Sequence, residues 1–366
     1  MNNLDLFIDS SIKGGIFPGI SILAGKGEDI LLKKHYGFKS LVPQKEPLGE
    51  DTIYDLASLT KPLVTAFLLL YLLEKEKSIT LETGIRTFFP QLDFDIKLVH
   101  LLTHTSGLPA WYPFYLYGEN YLSQFGSLEL KSRPGRRVIY SCPGYILLYY
   151  IIEKMAGASF MSAAREVLFE PLGLKRTFLA VPEHLKKLAA PTEQGNRYER
   201  ELAMKTHPAA AGRFQWRETL IQGETHDCNS WYMGGTAGNT GLFSTVEDIF
   251  KLTRAFYPGF SSLLSSRSAL YFWKNFTPFK AAHRSVGFKL NSSIITSGGR
   301  ALSRRAAGHN GNTGTSLWLE PPGSGDGYTF ILLTNRVHPV IVHERKVGFN
   351  RIRRNLHRLI VKEIEE

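Results

Sequence analysis

Two cysteines in 366 residues are too few for a disulfide framework, and Cys142 and Cys228 stand far apart, without the paired spacing of a metal-binding ribbon. Both read as free thiols, which excludes a stapled secreted scaffold and a thiolate metal centre. Long hydrophobic runs are also missing. The purely apolar stretches, such as Phe67 to Leu73, fall well short of the ~20 residues that span a bilayer, so no membrane span is expected. Residues 1–15 contain Asp5 and Asp9 and lack the basic start, apolar centre and small-residue cleavage site of an export signal, which makes a cytoplasmic location the expectation. No internal repeat or low-complexity linker is visible.

What the chain does have is a large apolar content, 43%, enough for a sizeable core in one large domain or a few smaller ones. The formal charge is +11, with much of it near the end in Arg345, Lys346, Arg351, Arg353, Arg354, Arg358 and Lys362. Ile352, Leu356, Leu359, Ile360 and Ile364 recur at helical spacing through the same segment. The basic residues therefore read as the wet face of a packed helix, and no nucleic-acid partner is expected.

A short helix, Leu4 to Lys13, leads into two apolar runs, Gly19 to Ala24 and Ile30 to Tyr36, with a glycine-containing turn between them: a hairpin signature. Helix-period residues then dominate at Pro62–Lys75, Ile96–Leu102, Pro143–Met155, Phe160–Phe169 and Val246–Phe256. Gly223 to Gly241 reads as an ordered surface loop. Strand character returns at Ser285–Leu290, Thr315–Leu319 and Tyr328–Thr334. Strands at both ends with helices between them predict an α+β fold in which an antiparallel sheet from both termini packs against a helical insertion.

The chemistry begins at Ser58, which lies three residues before Lys61 at the mouth of the apolar run. Side chains at i and i+3 share a helix face, so this spacing offers a nucleophile with a base at hand. The helix N-terminus there favours developing negative charge. One or two Ser-x-x-Lys matches are expected by chance, about what composition alone would give, and Ser10 with Lys13 is such a match. With no buried helix behind it, that copy reads as surface.

Acyl transfer also needs a proton carrier for the leaving atom, and Tyr140, in Arg137-Val-Ile-Tyr-Ser-Cys-Pro-Gly-Tyr145, is the best candidate. A phenol becomes a useful base only beside a cation, and Lys61 can be that cation. The third element is Gly308-His-Asn-Gly-Asn-Thr-Gly-Thr315, just ahead of a strand, where glycines allow close approach of a substrate and His309 adds a titratable group. A strand edge there can supply one oxyanion N–H, with Ser58 supplying the other.

With these segments in hand, the chain resembles the serine β-lactamase and penicillin-binding-protein superfamily, in the branch of class C β-lactamases, D-alanyl-D-alanine carboxypeptidases and β-lactamase-like esterases. The resemblance runs through nearly the whole chain. Besides Ser58-Leu-Thr-Lys61 it includes Leu101-Leu-Thr-His-Thr-Ser-Gly-Leu-Pro109, Tyr140-Ser-x-x-Gly-Tyr145, Gly223-Glu-x-His-Asp-x-Asn229, Gly234-Gly-x-Ala-Gly238, Gly241-Leu-Phe-Ser-Thr245, Gly308-His-x-Gly311 with Thr313-Gly-Thr-Ser316, and Leu333-Thr-Asn-Arg-Val-His-Pro339.

The resemblance implies a β-lactamase/transpeptidase-like fold as one catalytic unit over 1–366, its sheet part from about 1–55 and 270–366 and its helical part about 56–269. It further implies that Ser58 is the acylated nucleophile, Lys61 its proton partner and Tyr140 the general base and acid. His309 and Gly311 would lie on the strand lining the cleft, and the N–H of Asn312 would join that of Ser58 in the oxyanion hole. Cys142 departs from the pattern, since relatives commonly carry Asn there. A thiol is a poor donor and acceptor, so simple ester hydrolysis gains weight over peptide and β-lactam turnover.

Other clusters have blander readings. His100 and His104 are spaced like a zinc pair, but Leu101 stands where a metalloprotease glutamate would be. His226, Asp227 and Asn229 read as a buried polar network. The aromatic run Trp111, Tyr112, Phe114, Tyr115 and Tyr117 suits the wall of an acyl-group pocket and ordinary packing equally well. Cys142 lacks a basic partner of its own and reads as an inert thiol. The expectation is thus a serine hydrolase acting on an ester or amide carbonyl of a small-molecule or peptide acyl substrate, with no metal or organic cofactor. The alternative is a non-catalytic sensor or binding module using the same cleft.

Overall fold

The computed structural model describes residues 2–260, 262–293, 295–323, 327–341 and 343–366, the side chains of 343–347 excepted. The predicted hairpin forms: β1 (Gly19–Lys26) and β2 (Asp29–Ser40) pair antiparallel and leave a two-residue turn with Gly27 at φ +58°. Beyond β2 lies the short β3 (Glu46–Pro47), and a separate two-stranded pair joins β4 (Tyr54–Asp55) to β5 (Phe243–Ser244).

The chain returns to the main sheet with β6 (Lys289–Leu290), β7 (Ala307–Asn310), β8 (Ser316–Leu319) and β9 (Tyr328–Leu333). Its order is β3-β2-β1-β9-β8-β7-β6, and every pairing is antiparallel. The first and last strands are neighbours, Ser21 facing Leu333 and Lys26 facing Tyr328. An α+β fold with one sheet built from both chain ends is therefore what the sequence folds into.

Tyr328-Thr-Phe-Ile-Leu-Leu333 is apolar almost throughout because both faces of β9 are covered. Ile331 and Leu333 face the helical side together with Leu23 and Leu317. Phe330 and Leu332 face the terminal helices Asn3–Lys13 and His343–Glu365, with Ile20, Ile22 and Trp318.

Three expectations need correction. The strand expected over Ser285–Leu290 shrinks to β6, because Gly287 (φ +77°) presses against the helical segment Lys61–Ala66; a Cβ there would come 2.8 Å from Ala66 Cβ and 3.0 Å from Pro62 Cα. The segment 308–315, read as lying ahead of a strand and, by resemblance, as carrying His309 and Gly311 on the strand lining the cleft, divides: His309 is on β7, and Gly311 is on the loop that leads to β8. Gly308 of β7 sits directly opposite Trp318, whose ring fills the space a side chain would need. Finally, the C-terminal helix is basic on its wet face at Arg351 and Arg358, but Arg353 is turned inward and is only 5% exposed. Arg345 and Lys346 have side chains outside the described residues.

Within the helical part, the run Ala57–Lys75 is long and apolar enough to cross a membrane by length and composition, and 72% of it is buried inside the protein. It is the central helix of the larger core.

Candidate active site

Ser58 lies in a single 3-10 turn, Ala57–Leu59, directly after β4, and the chain then passes into a π-helical segment, Lys61–Ala66, before becoming regular α-helix at Phe67–Lys75. The α-helix expected from sequence at this point is thus a 3-10 turn joined to a π-helical segment, and the two side chains still meet across the junction. The Lys61 Nζ lies 3.1 Å from Ser58 Oγ, and also donates to the Asn239 carbonyl at 2.9 Å and to Cys142 Sγ at 3.6 Å. An ammonium has three protons and here finds three acceptors.

The turn is held under tension. Ala57 sits at φ +47°, an uncommon conformation for a residue with a side chain. Its N–H donates to Asp55 Oδ1 at 2.8 Å, and Asp55 Oδ2 accepts from the His226 N–H at 2.8 Å. Thr60 Oγ1 donates to the Ala57 carbonyl, Thr313 Oγ1 to the Asp55 carbonyl and Thr315 Oγ1 to the Leu56 carbonyl. Gly311 rests directly on the turn, since a Cβ there would lie 2.6 Å from the Leu56 carbonyl oxygen and 2.0 Å from Thr315 Oγ1.

Tyr140 arrives on an extended segment that ends at the N-cap Ser141 of the helix Cys142–Ala156. The Ser141 hydroxyl accepts from Gly144 N–H, and the Ser141 N–H donates to His104 Nδ1 at 3.1 Å. His104 packs its ring 4.4 Å from that of Tyr140, while the Lys61 Nζ lies 5.1 Å from the Tyr140 ring centre and the Arg284 Cζ 5.8 Å from it. His309 completes the group, its ring centre 5.9 Å from that of Tyr140. Ser58 is 8% exposed, whereas Tyr140 and Cys142 are only half-buried, so the group opens to solvent on their side.

Protonation states follow from these surroundings. Burial on its own favours the neutral Lys61 amine, but the negative charge that Cys142 and Tyr140 develop on ionising outweighs it and leaves the amine above its ordinary value. Burial raises the Tyr140 phenol, against the pull of the Lys61 charge and of hydrogen bonds from Ser58 and Lys61. The Cys142 thiol is likewise pushed up by burial, against Lys61, which keeps it protonated and unreactive. His309 and His104 are held well below the imidazole range, first by burial and then by the charges of Arg284 and Lys61. His309, expected as a titrating group, is therefore neutral; its Nδ1 donates to the Asn310 carbonyl at 3.1 Å.

The sequence candidates Ser58, Lys61, Tyr140, Cys142, His309 and Gly311 thus come together, with Asn312 next to them on the loop after β7. Trp111 does not join them closely. It follows Ala110, whose carbonyl accepts the Cys142 N–H, but its ring turns toward His207 at 6.3 Å. Phe114 and Tyr115 are buried in the helical core and Tyr117 is 48% exposed, so the aromatic run divides between packing and surface. Ser10 is exposed and Lys13 pairs with Asp9.

The helix holding His100 stops at Leu102, and His104 lies beyond it at φ +58°, so the two imidazoles do not share a helix face. His226 is buried and bonded to Glu193 at 2.9 Å, in a network that reaches the turn carrying Ser58 through Asp55. Sequence reading missed Asp55, Asn239 and Arg284. Only Asp55, an acid three residues before the serine, carried a local signal.

Comparison with known proteins gives the family. The family model described as Beta-lactamase matches residues 4–347. A putative D-alanyl-D-alanine carboxypeptidase of Salmonella agona (strain SL483) is 27% identical over 94% of this chain and 84% of its own length. Among solved structures, the β-lactamase/D-alanine carboxypeptidase from Pseudomonas syringae superposes with a TM-score of 0.71 at 19% identity, covering 97% of this chain and 99% of that one. EstCE1, a hydrolase with promiscuous acyltransferase activity, gives a TM-score of 0.71 at 16% identity, covering 96% and 97%. A seven-stranded sheet closed by both chain ends, with a serine and a lysine in contact at the head of its central helix, places this chain in the Beta-lactamase family.

Proposed function

We propose that the protein is a serine hydrolase that transfers the acyl group of an ester or amide to Ser58 and then to water. The observation that carries this reading is the contact between Lys61 Nζ and Ser58 Oγ at 3.1 Å, beside the half-exposed Tyr140. Lys61 spends its protons on three acceptors, so the proton of Ser58 passes to the phenolate of Tyr140, in the form of the protein that is one proton poorer, as the hydroxyl attacks. Tyr140 then gives it to the leaving group, and a water retraces the path in deacylation. The N–H groups of Ser58 and Asn312 hold the oxyanion. Ser58 lies in the first turn of its helix, where N–H groups have no intrahelical acceptor.

Reaction of the intact protein with a fluorophosphonate, read by whole-protein mass and peptide mapping, tests this. One adduct per chain on Ser58 is expected, and its absence would turn the reading toward a non-catalytic binding module.

Cys142 supports an ester over an amide as substrate. It sits 3.6 Å from Lys61 with a thiol that offers a substrate amide little to bond to. Cys142→Asn is therefore expected to raise turnover of a D-alanyl-D-alanine peptide, relative to a p-nitrophenyl ester, by about tenfold, the worth of one hydrogen bond. An unchanged ratio would remove Cys142 from substrate selection.

A further inference from the structure

The loop 311–315, which lies on the nucleophile turn, is gripped from its other side by two arginines. Arg353, on the C-terminal helix and 5% exposed, donates through Nη2 to the carbonyls of Gly311 (3.3 Å), Gly314 (3.0 Å) and Thr315 (2.8 Å). Its Nη1 donates to Asn350 Oδ1 at 3.1 Å. Arg336 donates to the carbonyl of Asn312 at 3.0 Å. Both guanidinium groups stack on Phe349, with Cζ 4.6 Å (Arg353) and 4.9 Å (Arg336) from its ring centre.

Neither arginine has a carboxylate partner among the described residues. Burial, and then the neighbouring charge of Arg336, lowers the Arg353 guanidinium to about 9. A buried cation held by loop carbonyls and one side-chain amide oxygen, with no carboxylate among the described residues, is costly to keep. Four carbonyls of one five-residue loop are what it and its neighbour hold.

The planarity of the peptide unit turns this grip into an aim. In a trans peptide the carbonyl of one residue and the N–H of the next point in opposite directions. Fixing the Gly311 carbonyl on Arg353 therefore turns the Asn312 N–H away from the C-terminal helix, on a loop whose Gly311 and Thr313 touch the 55–57 turn. That N–H has no acceptor among the described residues. Positive charge on the carbonyl side also polarises the peptide and strengthens its N–H as a donor.

We infer that Arg353, assisted by Arg336, is a positioning residue that orients and polarises the Asn312 N–H as the second donor of the oxyanion hole. The inference rests on the hydrolase reading. It gives the inward-facing arginine of the C-terminal helix a role in catalysis that its distance in sequence from Ser58 conceals.

The test compares wild type, Arg353→Met, Arg353→Lys, Arg336→Met and the surface control Arg358→Met. Turnover of p-nitrophenyl acetate is normalised to sites that a fluorophosphonate titrates, and affinity for phenylboronic acid, whose tetrahedral adduct on the serine puts an oxygen in the hole, is measured alongside. Arg353→Met is expected to lower kcat by about ten- to a hundredfold, less than outright loss of an oxyanion donor. KM should stay within about threefold, and boronic acid affinity should fall in step with kcat/KM. Arg353→Lys should recover part of the loss, and Arg358→Met should match wild type.

Should Arg353→Met fail to fold, the half-buried Arg336 and the lysine variant carry the test. Unchanged kcat per titrated site and unchanged boronic acid affinity in Arg336→Met and in the folded Arg353 variants would overturn the inference. A wild-type protein that no fluorophosphonate labels would instead overturn the hydrolase reading, and this inference with it, before any variant is made.

Discussion

Ser58→Ala is expected to reduce turnover of an activated ester by about 10⁴-fold or more, to the level left by binding and oxyanion contacts alone, and to remove the fluorophosphonate adduct. The fold should survive. The hydroxyl is almost fully buried, but its partner Lys61 keeps the Asn239 carbonyl and Cys142 Sγ as acceptors when it is gone. The strained turn does not depend on it, because Asp55, Thr60, Thr313 and Thr315 hold residues 55–57 through other atoms. The cost in stability should thus be about 1 kcal/mol, the worth of one hydrogen bond. Circular dichroism and a thermal melt like those of wild type, together with a lost adduct, make up the expected result. Retention of the adduct in Ser58→Ala would move the nucleophile elsewhere.

The contrast between what the sequence discloses and what it hides follows from distance along the chain. Ser58 and Lys61 are legible because their relation is local: three residues on one turn fix both side chains. The β1–β2 hairpin is legible for the same reason, with two apolar runs around Gly27. Tyr140 and His309 are recognisable only as members of a recurring set, since nothing in their own neighbourhoods states that their rings will sit 5.9 Å apart.

Asp55 and Arg353 are of a third kind. An aspartate before a serine and an arginine on a basic amphipathic helix look ordinary, although at 100° per residue Arg353 falls inside the stripe of Leu356, Ile360 and Ile364. What holds its charge there is a set of loop carbonyls nearly forty residues earlier in the chain, partners that a helical period cannot name. Strand β7 shows only through the family resemblance, because Gly308 looks like a loop residue until Trp318 is placed opposite it.

Lys61→Met is expected to cost about 10³-fold in kcat/KM at neutral pH, within the range for loss of a group that drives proton transfer, and the pH profile separates this from simple misfolding. Lys61 and Tyr140 both lie above their ordinary values, so at neutral pH the pair holds its full set of protons. The competent form, one proton poorer, is a minority that grows as pH rises, and kcat/KM should climb through pH 7 to 9 with a logarithmic slope of about one. His309 and His104 are already neutral across that range and add no limb of their own.

Replacing Lys61 removes both the charge and the hydrogen bond that lower Tyr140, leaving burial unopposed, so the rising limb should move to higher pH. Tyr140→Phe leaves Lys61 in place but deletes the proton carrier; it should lose a comparable factor and flatten the profile instead of shifting it. A Lys61→Met profile that keeps the wild-type midpoint would show that the amine does not tune the phenol. The proton of Ser58 would then have to leave by another route.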